Sequence, residues 1–310
     1  MKIDVVIPVY KPGEELGQLL CMLQRQTFQP NKVILMHTED GYALPVNDKG
    51  EMRAEEVMVP QTEFDHGGTR DAGIRRSDAE IVVCMTQDAV PQNEKLLEHL
   101  ACALADDSRV AVAYARQIAA ADASILEQYT RTFNYPEQSC IKGKADLETR
   151  GIKTYFCSNV CAAYRRSVYE EVGGFEQRII FNEDMVFAAH AVSKEYKIAY
   201  VAEGVVIHSH QYSCLQLFKR NFDQGVSQAD YPEIFAKISS ESEGMKLVKQ
   251  TIQYLLKAGK PWLILKLCIQ SGWKYAGYQF GKHYQQLPAG IRRRLTMNQK
   301  YWDRRTKWQQ

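Results

Sequence analysis

A chain of 310 residues with 45% hydrophobic and 25% charged side chains is long enough to bury a sizeable core and too apolar for wholesale disorder. The formal charge of +2 conceals an uneven spread, because residues 282–310 carry +7 and the remainder −5. No run of 18 or more apolar residues occurs, and the longest candidate, 262–269, is short and contains Lys266, so a membrane-spanning helix is excluded.

Residues 3–9 read as a buried first strand. Their apolar run is about five residues, follows Asp4 and lacks a small-residue cleavage site, so it is not a signal peptide. From Glu14, residues Leu16, Leu19, Leu20 and Leu23 recur at the spacing of one helical face. Residues 33–36 and 56–59 read as strands, and the segment after Gly67-Gly68 as a helix to Arg76. Residues 79–85 form a fully apolar strand of the kind buried on both faces, followed by a helix over 94–104 and a strand over 110–115. Strand and helix alternating in this way predict right-handed βαβ units and a mostly parallel sheet flanked by helices.

The polar stretch 119–150, broken at Asn134-Tyr135-Pro136, is expected to lie over the sheet as a substrate-facing insertion or mobile loop. Residues 155–164 are strand-like, 166–172 a helix closed by Gly173-Gly174, 184–196 a helix and 199–210 a strand. Beyond them Met245, Val248, Ile252 and Leu255, then Trp262, Leu265, Ile269 and Trp273, keep a helical period on either side of Pro261. The expected division is a catalytic domain over 1–225 and a helical extension over 226–310. Eight scattered cysteines, with Cys21, Cys84, Cys102 and Cys268 in apolar segments, suit reduced thiols in the cytoplasm. The pair Cys157 and Cys161 lacks the second pair that structural zinc would need.

In a parallel sheet, ligands bind where strand ends gather loops. Three such loops carry acids or small polar residues: Pro8-Val9-Tyr10, Thr38-Glu39-Asp40-Gly41 and Thr86-Gln87-Asp88-Ala89. Asp88 emerges where a buried strand meets the pocket, and a carboxylate there suits Mg²⁺ or Mn²⁺ against diphosphate oxygens as well as it suits capping of the next turn. His208 and His210, two apart on a strand, should share one face. They are spaced for a joint metal site or for phosphate contacts, and carboxylate with imidazole suits Mn²⁺ or Mg²⁺ better than structural zinc. Asp184 opens a helix in Phe181-Asn182-Glu183-Asp184. It reads equally as a cap or as a general base whose affinity for protons Glu183 raises by like-charge repulsion. In Asp65-His66-Gly67-Gly68-Thr69-Arg70, glycines such as Gly68 let backbone approach a ligand, and Arg70 can pair with phosphate.

Taken together these motifs resemble the family 2 glycosyltransferases of the GT-A fold, and within them the bacterial rhamnosyltransferase-like group. The resemblance runs in order from Ile7-Pro8-Val9-Tyr10 through Phe64–Asp71, Thr86–Pro91, Gly173-Gly174-Phe175 and Asn182-Glu183-Asp184 to His208-Ser209-His210, covering roughly residues 1–225. It implies that Pro8, Val9, Tyr10 and Glu39 line the nucleotide, and Gly68, Arg70 and Gln87 are placed with them on the donor side. It also implies that Asp88 is the surviving acid of the DxD metal motif and that His208 or His210 joins the metal. Asp184 is then the catalytic base, with Glu183 and Asn182 beside it or toward the acceptor. Thr86 replaces the motif's first acid, and the second strand's loop reads HTEDG where the family commonly has acid-acid-Gly-Ser.

The expected activity is therefore inverting transfer of a sugar from a nucleoside diphosphate, with Mg²⁺ or Mn²⁺, onto a hydroxyl of a lipid-linked bacterial cell-surface glycan precursor. L-rhamnose from dTDP-rhamnose is the choice by resemblance, with a UDP-sugar as the alternative. A nucleotidyltransferase would carry a Gly-rich basic loop after the first strand, and Val9-Tyr10-Lys11-Pro12 is not one. A catalytically silent scaffold that binds nucleotide sugars is the rival outside enzymology. The basic tail, with Tyr301, Trp302 and Trp308, is expected at an anionic membrane surface. That would make the protein cytoplasmic, or peripheral at the inner face of the plasma membrane, with no nucleic-acid partner. Homo-oligomerisation is left open.

Overall fold

The computed structural model describes residues 1–44, 53–236 and 240–308, with the side chains of 307 and 308 outside the described set. In chain order the elements are β1 (Ile3–Val9), α1 (Glu14–Gln24), β2 (Lys32–Thr38), β3 (Ala54–Val59), α2 (His66–Arg75), β4 (Ile81–Met85), β5 (Val90–Pro91) and α3 (Leu96–Asp106). There follow β6 (Val110–Ile118), α4 (Ile125–Asn134), β7 (Cys140–Lys142), α5 (Leu147–Arg150), β8 (Cys161–Arg165), α6 (Arg166–Val172), α7 (Glu183–Ser193) and β9 (Lys197–Ile207). The remainder is helical: α8 (Cys214–Asp230), α9 (Pro232–Phe235), α10 (Ser240–Lys257), α11 (Leu263–Lys282), α12 (Ala289–Leu295) and α13 (Gln299–Trp308). These elements fall into two compact units, one of residues 1–121, 134–177 and 183–209, the other of 122–133, 178–182 and 210–310. The boundary expected at residue 225 falls inside α8, which belongs with the second unit.

The first unit is built on a sheet of order β3-β2-β1-β4-β8-β6-β9-β5, with β7 paired to β9. Strands β3, β2, β1, β4, β6 and β9 share one direction, while β8, β5 and β7 oppose it. Period-two alternation explains the layers. Val5, Ile7, Val9, Val83 and Met85 face one core with the leucines of α1 and α3, whereas Val6, Val82 and Cys84 face another with Ile74, Phe187, Ala188 and Ala191. Both faces are covered, which is why these strands read as unbroken apolar runs. Gly173, at φ 110, closes α6 in the left-handed region that a side chain would strain.

Three expectations are corrected. Strand β8 occupies only Cys161–Arg165, shorter than the strand-like stretch 155–164, and residues 158–160 form its entry turn. Strand β9 ends at Ile207, so His208 and His210 lie beyond it and strand alternation does not orient them. Residues 125–134 form α4, whose Leu126 is buried with Leu255 and Leu267 in the second unit, instead of a loop over the sheet. The eight cysteines are free, but Cys21, Cys102 and Cys268 are exposed whereas Cys84, Cys157 and Cys161 are buried.

In the second unit α8 and α11 pack with their backbones in contact. A Cβ on Gly277 or Gly281 would run into the carbonyls of Phe218 and Phe222, and one on Gly225 into that of Tyr278. Two aromatic side chains of the tail lie inside this unit: Tyr301 and Trp302 are 2% and 7% exposed and pack with Phe222 and Tyr284. Arg305 is held by Asp230 at 2.5 Å and donates to the Tyr284 hydroxyl at 2.6 Å. Those rings therefore do not face a membrane. The period Trp262, Leu265, Ile269, Trp273 faces outward instead, at 67%, 70%, 49% and 42% exposure. Among the described residues no helix is long and apolar enough to cross a membrane.

Because backbone on both sides blocks relaxation, Gly277→Ala should destabilise the α8–α11 pair by about 1–3 kcal/mol. Urea unfolding with hydrogen exchange on α8 and α11 measures it, and a change within error would mean the helices separate at little cost.

Candidate active site

All the geometry described here belongs to the first unit except where His210 and Asn182 are named. The parallel strands β1, β2 and β4 release their loops at one edge of the sheet. Pro8 is half-buried, Val9 buried and Tyr10 exposed. Gln87 clamps this loop, its Oε1 accepting from the Tyr10 amide at 2.8 Å and its Nε2 donating to the Tyr10 carbonyl at 2.9 Å. Gln87 thereby shapes the β1 loop. In the β2 loop Glu39 is exposed, and Asp40 is the organiser. Its carboxylate accepts from the amides of Lys11 and Tyr42 and faces Nε2 of His37 at 3.3 Å. Burial opposes its charge, but these donors outweigh burial and hold Asp40 below the usual carboxylate range.

Two residues beyond the loop's Thr86, Asp88 meets His208, with Oδ2 3.5 Å from Nε2. The imidazole is buried, and its Nδ1 faces Oε1 of Gln117 at 3.2 Å. Gln117 has its amide nitrogen directed to the Tyr135 hydroxyl at 2.6 Å and the Ser158 hydroxyl at 2.9 Å, which leaves its oxygen for the histidine. With the Gln117 oxygen accepting at Nδ1, Nε2 is the nitrogen on the Asp88 side that is left to ligate a metal ion. This arrangement, with its second hydrogen bond to a protein carbonyl oxygen, is the one a metal-binding histidine adopts. Ligand atoms in adjacent positions about 2.1 Å from Mg²⁺ stand about 3 Å apart, so the pair needs little movement to share a divalent ion. One carboxylate and one neutral imidazole, with no thiolate, fit Mg²⁺ or Mn²⁺. Beside them the Thr86 hydroxyl is buried without a hydrogen-bond partner among the described residues.

The second cluster opens α7. Glu183 and Asp184 are adjacent, yet their surroundings differ. Glu183 is buried, 3.2 Å from the Arg70 guanidinium, and accepts from the Asn159 side-chain amide at 3.0 Å. Burial works against its charge, but Arg70, then His66 and Asn159, overcome it and keep Glu183 ionised below its ordinary range. Asp184, partly accessible, accepts only from backbone, the Asn159 amide at 2.9 Å and its neighbour Met185 at 2.8 Å. Burial, and then the charge on Glu183, push it up to about 7. A carboxylate that exchanges a proton near neutral pH is suited to general acid–base work.

Arg70 is thus engaged with Glu183 and with the His66 carbonyl, at 3.0 Å, inside the protein. The Gly67 and Gly68 amides donate to Asp65, which caps α2, at 2.9 and 3.2 Å. Neither Arg70 nor Gly68 stands open toward a phosphate. Asn182 has φ 66, and its side-chain nitrogen is buried without a hydrogen-bond partner among the described residues. His210 is the first residue of the second unit, its amide donating to Glu127 at 3.0 Å and its ring lying against Tyr212.

The joint between the two clusters is the turn before β8. Ser158 receives the amide of Gln117, and Asn159 serves both Glu183 and Asp184, so adjacent residues tie the Asp88–His208 pair to the carboxylate pair. Tyr164 donates to Oδ1 of Asn159 at 2.7 Å and fixes which end of that amide faces Glu183. Sequence reasoning missed Gln117, Ser158, Asn159 and Tyr164. None belongs to a spaced motif, and only the Ser-Asn dipeptide ahead of an apolar run hinted at a turn.

The model of glycosyl transferase family 2 matches residues 4–173. The chain is 38% identical over 307 residues to the O-antigen chain rhamnosyltransferase RfbN of Salmonella typhimurium, covering 98% of this chain and 96% of that one. It is 37% identical to the O-antigen chain rhamnosyltransferase WbaN of Salmonella anatum over 305 residues, with 96% and 95% covered. Among solved structures, it is similar to the mannosyltransferase PcManGT from Pyrobaculum calidifontis, in complex with GDP-Man and Mn²⁺. The TM-score is 0.61 at 12% identity, over 92% of this chain and 88% of that one. Residues 1–349 of TarS from S. aureus, in complex with UDP-GlcNAc, give 0.53 at 13% identity, covering 92% of each. At such identities these two likenesses establish the fold.

Since Gln117 accepts at Nδ1 of His208, Gln117→Met should weaken Mn²⁺ binding by about 10–100-fold while leaving the fold intact. Calorimetric titration with Mn²⁺ measures this, and an unchanged affinity would remove Gln117 from the metal's support.

Proposed function

The chain belongs to glycosyl transferase family 2, and from that premise we propose that it transfers L-rhamnose from dTDP-rhamnose to a hydroxyl of a bacterial surface-polysaccharide precursor, inverting the anomeric centre. The observation that carries this reading is the turn 158–159, which joins a metal-suited pair to a proton-accepting carboxylate. The names of the two relatives, O-antigen chain rhamnosyltransferases at nearly full length, support rhamnose as the sugar.

In this reading Asp88 and His208 hold Mg²⁺ or Mn²⁺. When bound, the ion supplies positive charge against which the nucleoside diphosphate leaves. Pro8, Val9 and Tyr10, in the conformation Gln87 imposes, line the nucleotide together with Glu39 and Asp40. Asp184 accepts the proton of the acceptor hydroxyl as that oxygen attacks the anomeric carbon from the face opposite the departing phosphate. Glu183, in ion pair with Arg70, stays charged throughout and does not compete for this proton.

We further infer that the second unit meets an anionic bilayer carrying a lipid-linked acceptor. The contact is the exposed face Trp262, Leu265, Ile269 and Trp273, flanked by exposed Lys257, Lys260 and Lys266. Indole rings and aliphatic side chains beside lysines suit the interface of negatively charged lipid.

Asp184→Asn should retain donor binding and lose turnover by about 10²–10⁴-fold, measured as dTDP release from dTDP-rhamnose with Mn²⁺. Near-normal turnover would remove Asp184 from the reaction. The base works only when ionised, so the wild-type rate should rise with pH through about 7 and level off above it. A flat profile from pH 5.5 to 8.5, with chemistry rate-limiting, speaks against this assignment. Replacing Trp262, Leu265 and Ile269 together by Ser should abolish sedimentation with anionic vesicles. Since residues 282–310 contribute buried rings, these surface changes test the idea more cleanly than truncation, and unchanged sedimentation would reject it.

A further inference from the structure

Two carboxylates on successive residues of one buried helix start pose a problem of proton placement. Only one of them can be charged at little cost, and the reading of Asp184 as base requires that its proton be exchangeable while its neighbour's is absent. We propose that Arg70 and Asn159 are positioning residues that fix the negative charge on Glu183 and leave the proton to Asp184. The assignment rests on asymmetric surroundings. Glu183 has a guanidinium at 3.2 Å and a side-chain amide at 3.0 Å. Asp184 has two backbone amides and no cation among its hydrogen-bond partners. Arg70 is itself 5% exposed and braced by the His66 carbonyl, so its charge faces inward. Asn159 cannot rotate its amide freely, because Tyr164 holds the oxygen end at 2.7 Å.

The other titratable groups around the pair leave Arg70 in control. His66 adds to the pull of Arg70 on Glu183. Cys84 of β4 and Tyr164 of β8 also sense both acids and Cys157 before β8 senses Asp184, and burial raises all three so that they stay uncharged at neutral pH.

The sign follows from counting protons in the pair. With Arg70 present, the singly protonated pair carries its proton on Asp184, and the base becomes available only when that proton leaves near pH 7. Without Arg70, a lone buried charge on Glu183 is costly, so Glu183 takes the proton and Asp184 is ionised in the singly protonated pair. Removing the cation therefore moves the ionisation of Asp184 to lower pH, against the simple expectation for loss of a nearby positive charge. Arg70's direct attraction for Asp184 is weaker than the repulsion from the adjacent Glu183.

The test uses the full-length protein labelled with ¹³C at the aspartate side-chain carboxyl, with Asp184 assigned by its absence in Asp184→Asn. The wild-type midpoint should lie near 7. In Arg70→Met it should fall by about one pH unit or more, Asn159→Ala should move it in the same direction, and Arg70→Lys should restore it. Glu183→Gln, which keeps the volume and both acceptor contacts while removing the charge, should lower it as well and serves if Arg70→Met does not fold. A midpoint unmoved in Glu183→Gln, or in Arg70→Met where that variant folds, would overturn the proposal. So would a higher donor KM in Arg70→Met with the Asp184 midpoint in place, since Arg70 would then act on phosphate. The acid limb of dTDP release is measured in parallel. If the resonance shifts and the limb does not, the positioning role stands and the assignment of Asp184 as base fails.

Discussion

Strand β8 runs against both of its neighbours, β4 and β6, in a region where those two share one direction. Its start therefore lies at the edge of the sheet where its neighbours end, with Cys161 opposite Met85 and Ala162 opposite Tyr114. An all-parallel arrangement would have put the entry of that strand at the far edge. The reversal brings residues 158–160 beside the loop that carries Asp88, a placement secured by the Thr86 amide donating to the Val160 carbonyl at 3.1 Å. Ser158 and Asn159 of this short turn link the metal-suited pair to the carboxylate pair.

The two clusters are tuned by opposite means. At His208 the protein sets a neutral amide oxygen against Nδ1, which turns Nε2 toward Asp88 without adding a charged neighbour at Nδ1. At the start of α7 it sets a buried cation against one of two acids and so separates their proton affinities. Placing the cation on Glu183 leaves Asp184 without a direct cationic partner, so its proton affinity stays high.

Much of the fold was legible because its signals are local. The five apolar residues of β4, the leucines of α1 and the paired glycines after α6 each carry their own evidence of strand, face or stop. The candidate residues with chemical side chains were legible for the same reason, and Asp88, Glu183, Asp184 and His208 were all named from sequence. What escaped depends on partners far along the chain. Gln117 acquires its role from His208, 91 residues away, and Asn159 from α7, 24 and 25 residues on. Arg70 looked like a phosphate ligand because a basic residue near a glycine pair is usually read that way. Its distance to Glu183 gives the guanidinium a partner inside the protein. The tail misled through composition, since eight cations with interleaved rings resemble a surface motif, yet Asp230 and the Tyr284 hydroxyl draw Arg305 inward and the rings follow.

The thiols divide the molecule in a usable way. Cys84, Cys157 and Cys161 lie within the first unit's core, Cys157 directly before the turn that joins the two clusters, whereas Cys21, Cys102 and Cys268 sit at the surface. A maleimide added to the native protein meets the outer sulfurs at once and reaches the inner three only when the sheet opens. Slow alkylation of the inner set thus clocks the breathing of the reaction centre in the intact chain, with no added probe and no change to its sequence.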